Sequence, residues 1–148
     1  MIDELSVLQA LQTTIIEDVN QYLDSNMSRF SETNVIRDFP SVSLMPSDVA
    51  IFIIPDRAVY ENLATTSDKS EFTVMIELLC KRDTQKNLEE KAYAYFNALY
   101  LALRRNMSLG GVVDFTELSE GEFFPAVEMN KNVQGIESTC TLHYTKDF

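Results

Sequence analysis

Apolar residues recur at helical spacing from the start of the chain. Ile2, Leu5, Leu8, Ile15, Val19, Tyr22 and Leu23 form a stripe that Leu11 and Ile16 widen. Asp3 is placed to cap this helix, and Glu4 suits the positive end of its dipole. The helix is expected to end near Asp24-Ser25-Asn26. Phe30 to Asp48 is irregular, interrupted by Pro40 and Pro46, with Val35-Ile36 as a short edge strand. Val49 to Ile54 is apolar on both faces and rich in β-branched residues, which predicts a buried strand closed by Pro55. Asp56 to Ser70 turns polar toward its end and predicts an extended loop or hairpin arm.

The pattern then changes period. Phe72, Val74, Ile76, Leu78 and Cys80 alternate with Thr73, Met75, Glu77, Leu79 and Lys81, the signature of a strand with one face in the core. A second helix follows, capped by Asp83 or Thr84. Glu89-Glu90 lie in its early turns, Arg104-Arg105 in its last, and Gly110-Gly111 come after it. Leu88, Ala92, Tyr95, Phe96, Leu99, Leu103 and Met107 line one face, and Tyr93 and Tyr100 widen the arc. A helix this apolar is covered by more than one element: the sheet, and either the first helix or a neighbouring subunit. Val112 to Phe115 leads into an acidic turn over Glu117 to Glu122. Phe123 to Val127 reads as a strand with its proline at an edge, and Asn130-Lys131-Asn132 as a turn. In the last strand Ile136, Ser138, Cys140, Leu142 and Tyr144 alternate with Glu137, Thr139, Thr141, His143 and Thr145. The order predicts an α+β fold: a mixed, mainly antiparallel sheet packed against two helices, one N-terminal and one central.

With 148 residues, 45% of them hydrophobic, the chain is expected to form a single domain over 1–148 without needing disulfides. Its formal charge of -11 disfavours a grip on phosphate backbones or anionic membranes. The longest apolar run, Val49 to Ile54, is too short to span a bilayer. Met1 to Glu4 carries acid where a secretory signal carries base, so an intracellular product is expected.

Candidate chemistry is sparse. Cys80 and Cys140 fall on alternating apolar positions and are expected to be buried free thiols. His143, the one histidine, is the only possible base for Cys140, but alternation sends the two side chains to opposite faces and leaves His143 at the surface. Asp114, Glu117, Glu120 and Glu122 form the densest acidic run, which suits a calcium ion or an acid–base pair in principle and a solvated turn more simply. No ligand spacing, phosphate-cradling glycine loop or basic stripe is present, so no catalytic residue, metal or cofactor is expected.

Three stretches carry a resemblance. They are the opening helix, Leu5-Ser6-Val7-Leu8-Gln9-Ala10-Leu11 running on to Glu17-Asp18-Val19-Asn20-Gln21-Tyr22-Leu23; the strand and helix from Phe72-Thr73-Val74-Met75-Ile76 to Tyr95-Phe96-Asn97-Ala98-Leu99; and the closing strand Gly135 to Tyr144. In this order they resemble the tail-terminator and tail-completion proteins of tailed bacteriophages. The resemblance implies a non-enzymatic virion part, a homo-oligomeric ring, usually a hexamer. Such a ring caps the tail tube, docks the head–neck connector and lets DNA pass unbound. Sheet edges and the arm are expected to link subunits, which nominates Tyr60, Leu63, Ala64, Thr65, Thr66, Phe72, Phe123 and Phe124 as interface residues. The readings that compete with this are a neck or head–tail joining protein or the equivalent cap of a contractile, DNA-free particle; a small acidic inhibitor or immunity-type protein of a basic partner; and an enzyme or small-molecule binder resting on the Glu117–Glu122 carboxylates.

Overall fold

The computed structural model describes residues 2–82, 88–125 and 133–148. The expected cap at Asp83 or Thr84, the end of the expected strand at Ala126-Val127 and the turn at Asn130-Lys131-Asn132 lie outside these residues. The elements are α1 (Glu4–Asp18), β1 (Val35–Ile36), β2 (Val49–Ala64), β3 (Ser67–Lys81), α2 (Leu88–Arg105), β4 (Phe115–Pro125) and β5 (Val133–Asp147). Short 3-10 turns span Val19–Tyr22 and Val42–Leu44.

Asp3 caps α1 as expected. Its carboxylate accepts from the Ser6 backbone N–H at 2.8 Å, and the Ser6 hydroxyl accepts from the Asp3 N–H at 3.1 Å, a reciprocal capping box. The buried stripe of α1 is rotated from the expected one. Val7, Leu11, Thr14 and Ile15 face the core, while Leu5 is exposed. Those positions follow the i, i+4, i+7, i+8 rhythm of a helix face, and the apolar residues at 2, 5 and 8 sit on its shoulder.

The five strands form one sheet in the order β1-β2-β3-β5-β4. β1 pairs parallel with β2, and every other pair is antiparallel, so the fold is α+β with a mixed, mainly antiparallel sheet. Both helices pack on one face. Ile51, Ile53, Val74, Ile76, Leu78, Ile136 and Leu142 meet Val7, Leu11, Ile15, Tyr95, Leu99 and Leu103 in one core. A smaller cluster of Met45, Ala50, Phe52, Leu79 and Val133 covers the opposite face at the β1 end. This second cluster is why Val49 to Ile54 is apolar on both sides.

Two expectations about strand ends are corrected. Pro55 does not close β2, which runs on to Ala64. The proline sits beside a register shift between Pro55 and Arg57, and β1 covers only Ile51 and Phe52, so the missing N–H falls on a bulged stretch of an open border. The acidic stretch Glu117 to Glu122 is not a turn but the body of β4. Thr116 and Leu118 pair with the core positions Leu142 and Cys140, a bulge falls at Ser119, and Gly121 and Phe123 pair with Ser138 and Ile136. The glutamates therefore point to the uncovered face. Gly121 lets α2 approach closely: a Cβ there would lie 3.2 Å from the Phe96 ring, which would have to shift.

α2 is covered by the sheet and by the end of the first helical segment. Asn106 donates to Asp18 at 2.8 Å, and the Arg105 guanidinium lies 5.4 Å from the Tyr22 ring centroid. The chain leaves α2 through Leu109, Gly110 and Gly111, all with positive φ. Tyr93 and Tyr100 remain exposed rather than widening the core face, and Lys91, Ala98 and Ala102 are buried on the other flank.

Candidate functional site

The sheet has two open borders. At one, β2 and β3 project beyond the helices as an arm whose tip is Thr65-Thr66. The arm has three strands, because Ser67 to Ser70 of β3 pair with Tyr144 to Asp147 of β5. Val59, Tyr60 and Leu63 expose 52%, 48% and 54% of their surface, apolar side chains on a strand that pairs with β3 on one side and, among the described residues, with no strand on the other. Ala64, Thr65 and Thr66 are exposed at the tip. The base of the arm is tied down. Tyr60 donates its hydroxyl to Glu4, and Lys146 bonds Glu4 at 2.8 Å while lying 5.3 Å from the Tyr60 ring centroid. Burial raises the Glu4 carboxyl, but the bonds from Lys146 and Tyr60 outweigh it and hold the group below its ordinary value.

The other border is β4. Phe123 is exposed there and packs edge-on against Tyr93 and Phe96, with ring centroids 5.1 and 5.8 Å apart. Phe124 pairs with Gly135 in the ladder. Within one chain the nominated residues thus divide between the arm and the opposite border. Phe72 belongs to neither surface, being buried in the core where β3 enters the arm.

Between the C-terminal half of α2 and β4 lies a cleft of about 200 Å³, bordered by Tyr100, Leu103, Arg104, Thr116, Glu117 and Leu118. Thr116 is 3% exposed, and its hydroxyl has no hydrogen-bond partner among the described residues.

The face of the sheet away from the helices is acidic. Glu77, Glu137 and Glu122 are direct cross-strand neighbours on β3, β5 and β4, and like charges so placed repel. Burial and then the Glu137 charge push the Glu77 carboxyl up to about 7. The folded protein therefore holds this proton more tightly than the unfolded chain, whose value is the ordinary 4.5. The stability tied to this group is complete below about pH 4.5 and declines as pH rises through about 7. Glu77→Gln should stabilise the protein by about 1–2 kcal/mol at about pH 8, a figure discounted for partial exposure, with the gain vanishing near pH 4. Urea titrations at the two pH values measure this, and an equal effect at both would refute it.

His143 lies on the same face but is not a surface residue. Its side chain is largely covered by Phe115, stacked at 4.1 Å, and its Nε2 lies 3.0 Å from Glu117 Oε1. Cys140 points into the core on the opposite face, and burial pushes both thiols up to about 12, so neither offers a thiolate to the histidine. Among the described residues no group of three or more His, Cys, Asp or Glu is arranged to hold a metal ion, and no helix is long and apolar enough to cross a membrane.

One polar site carries no recognisable sequence signal. Lys91 is 4% exposed in its side chain, lies 2.6 Å from Asp48 and donates to the Lys81 carbonyl at 3.0 Å. Ser28 donates its hydroxyl to Asp48 at 2.5 Å and its backbone N–H to the Tyr95 hydroxyl at 2.8 Å. The group fastens the irregular segment to α2. A lysine next to Ala92 in a charged helix reads as solvated until the fold shows Asp48 above it.

No protein-family model and no curated protein matches the sequence. Solved structures do match. A chain of the virion of a native gene transfer agent particle shares 15% identity at a TM-score of 0.58, over 95% of this chain and 98% of that one. The sheath/tube terminator of an extracellular contractile injection system, PVC, in its extended state, shares 11% identity at a TM-score of 0.56. The chain shares its fold with that virion chain and with part of that terminator. It covers 99% of itself in that match but spans only 57% of the terminator's length.

Proposed function

We propose that this protein is a structural part of a phage-like tail: a single tail-terminator-like domain that assembles into a ring, usually a hexamer in this family, and caps the tail tube. The observation that carries the reading is the likeness in fold, over nearly all of this chain, to a virion chain and to part of a sheath/tube terminator, joined to an arm that exposes Val59, Tyr60 and Leu63 on a strand with one open edge. Its partners are further copies of itself, the tail tube protein and the head–neck connector, and its place is the virion. A ring arises when one surface meets a different surface of the next copy and the rotation closes. The arm residues Tyr60, Leu63, Ala64, Thr65 and Thr66 supply one of the two surfaces. The net charge of -11 suits a passage through which DNA slides without being held.

The test is a pair of charges on the exposed strand. Val59→Asp with Leu63→Asp should leave a folded protein that no longer assembles, read by size exclusion with light scattering and by electron microscopy. Deleting Ala64 to Ser70 is the poorer experiment, since it also removes the strand partners of Tyr144 to Asp147. An undiminished oligomer in the charged variant takes the arm out of the interface. Particles made without the protein then decide its role: overlong or uncapped tubes mark a terminator, and finished heads and tails left unjoined mark a neck part.

A further inference from the structure

The β4 border has features that the arm-mediated ring leaves unused. β4 ends the sheet, so the backbone groups pointing away from β5 have no strand partner among the described residues. Its two faces differ in chemistry. Toward the helices it presents Thr116, Leu118, Gly121 and Phe123, and α2 adds Tyr93, Phe96, Tyr100 and Arg104 alongside. Toward the other face it presents Glu117, Glu120 and Glu122, with Glu137 and Glu77 behind them and no Lys or Arg anywhere in β4. A strand added here sends alternate side chains to the two faces. One set enters the channel between α2 and β4, and the other set lies over the glutamates.

We propose that this border receives an extended basic segment of another protein. The segment's side chains alternate between Lys or Arg over Glu117, Glu120 and Glu122 and small apolar or hydroxyl residues against α2. Two independent observations favour this occupant over a second copy. The first is charge: the open edge of β2 brings Asp56 and Glu61 with Arg57 as its only base, and the glutamates of β4 repel such a strand while attracting a basic one. The second is Thr116, whose buried hydroxyl lacks a partner at the floor of the cleft beside Arg104. A group in that state is destabilising until a polar atom reaches it, and a hydroxyl on the incoming strand supplies one. Phe123, packed on Tyr93 and Phe96, offers the apolar residues a wall farther along the same channel. The proposal goes beyond the ring and stands whether or not copies of this chain assemble.

The probe is a short fluorescein-labelled peptide that alternates lysine with valine and serine, titrated into the full chain by anisotropy. Backbone amide resonances are followed in parallel. The alternating peptide should bind, weaken with added salt and shift the amides of residues 115–125. A scrambled peptide of equal composition should bind at least about tenfold more weakly, as should the alternating peptide to a Glu117→Lys, Glu120→Lys, Glu122→Lys variant. Thr116→Val should weaken the serine-containing peptide and leave its all-valine analogue unchanged. Equal binding of the scrambled peptide overturns the proposal, as does failure of the alternating peptide to bind. So does a map of shifts away from β4, which needs no variant to fold. Concentration-dependent exchange protection of the β4 amides in the protein alone overturns it in favour of a second copy.

Discussion

Tyr95→Ala should lower the unfolding free energy by about 4 kcal/mol. Tyr95 is among the largest fully buried side chains, and it meets Phe30 edge-on at 5.7 Å. Truncation removes a ring from the junction of α2 with the irregular segment, where the backbone cannot collapse because Asn20 and Asn34 bond it in place. Asn20 Nδ2 donates to the Phe30 carbonyl at 2.9 Å and Asn34 Nδ2 to the Arg29 carbonyl at 3.0 Å. The change also strands the Ser28 N–H that the phenol accepts. Tyr95→Phe separates the two losses and should cost about 1 kcal/mol, the worth of one hydrogen bond. Urea denaturation followed by circular dichroism measures both, and a cost below about 2 kcal/mol for the alanine variant would show that the junction repacks.

Asp48→Ala should cost about 3 kcal/mol, and Lys91→Met distinctly less. The asymmetry follows from burial. Removing Asp48 takes a carboxylate from an ammonium that water barely reaches, although the Lys81 carbonyl still accepts from it, whereas removing Lys91 leaves a carboxylate about one-third exposed and still bonded to Ser28. The pair also sets an acid limit. Burial raises the Asp48 carboxyl, but Lys91 and Ser28 outweigh it and hold the group below its ordinary 3.8. The stability it contributes is present above about pH 4 and is lost as pH falls through the depressed value. Asp48→Ala should therefore flatten the acid side of the stability curve. Equal costs for the two variants, or an unchanged acid limb, would show that the ion pair is not what fastens the segment.

Much of this architecture was legible where a strand has one face covered. β3 and β5 alternate cleanly because both helices lie on one side of them, so Val74, Ile76, Leu78, Cys140 and Leu142 are apolar while Thr73 and Thr141 are not. The capping box of α1 was legible because it is local. The same logic explains the misses. β2 looked finished at Pro55 because a proline is tolerated on an open, bulged border, which no local pattern announces. The first part of β4 looked like a turn because two of its inward positions, Thr116 and Gly121, are weak apolar signals, a bulge at Ser119 breaks the alternation, and its outward positions are glutamates. His143 looked exposed because nothing in the sequence tells that Phe115 lies across it. The arm was visible as a polar stretch, but its third strand comes from the far end of the sequence. The cleft at Thr116 depends on where α2 meets β4, which the order of elements does not specify.

β5 follows β4 in sequence yet lies between it and β3 in the sheet. During synthesis β4 leaves the ribosome before β5, its strand partner among the described residues, exists, and the second edge of β3 likewise waits for Val133 to Asp147. Closing the β3–β5 pairing, which joins Lys81 to Val133 and Ser67 to Asp147, is slow, because the chain gives up loop entropy before any contact rewards it. A nascent chain stalled short of Val133 therefore holds β4 without a strand neighbour and β3 paired on its β2 side alone, and the sheet is completed only when translation has passed Asp147.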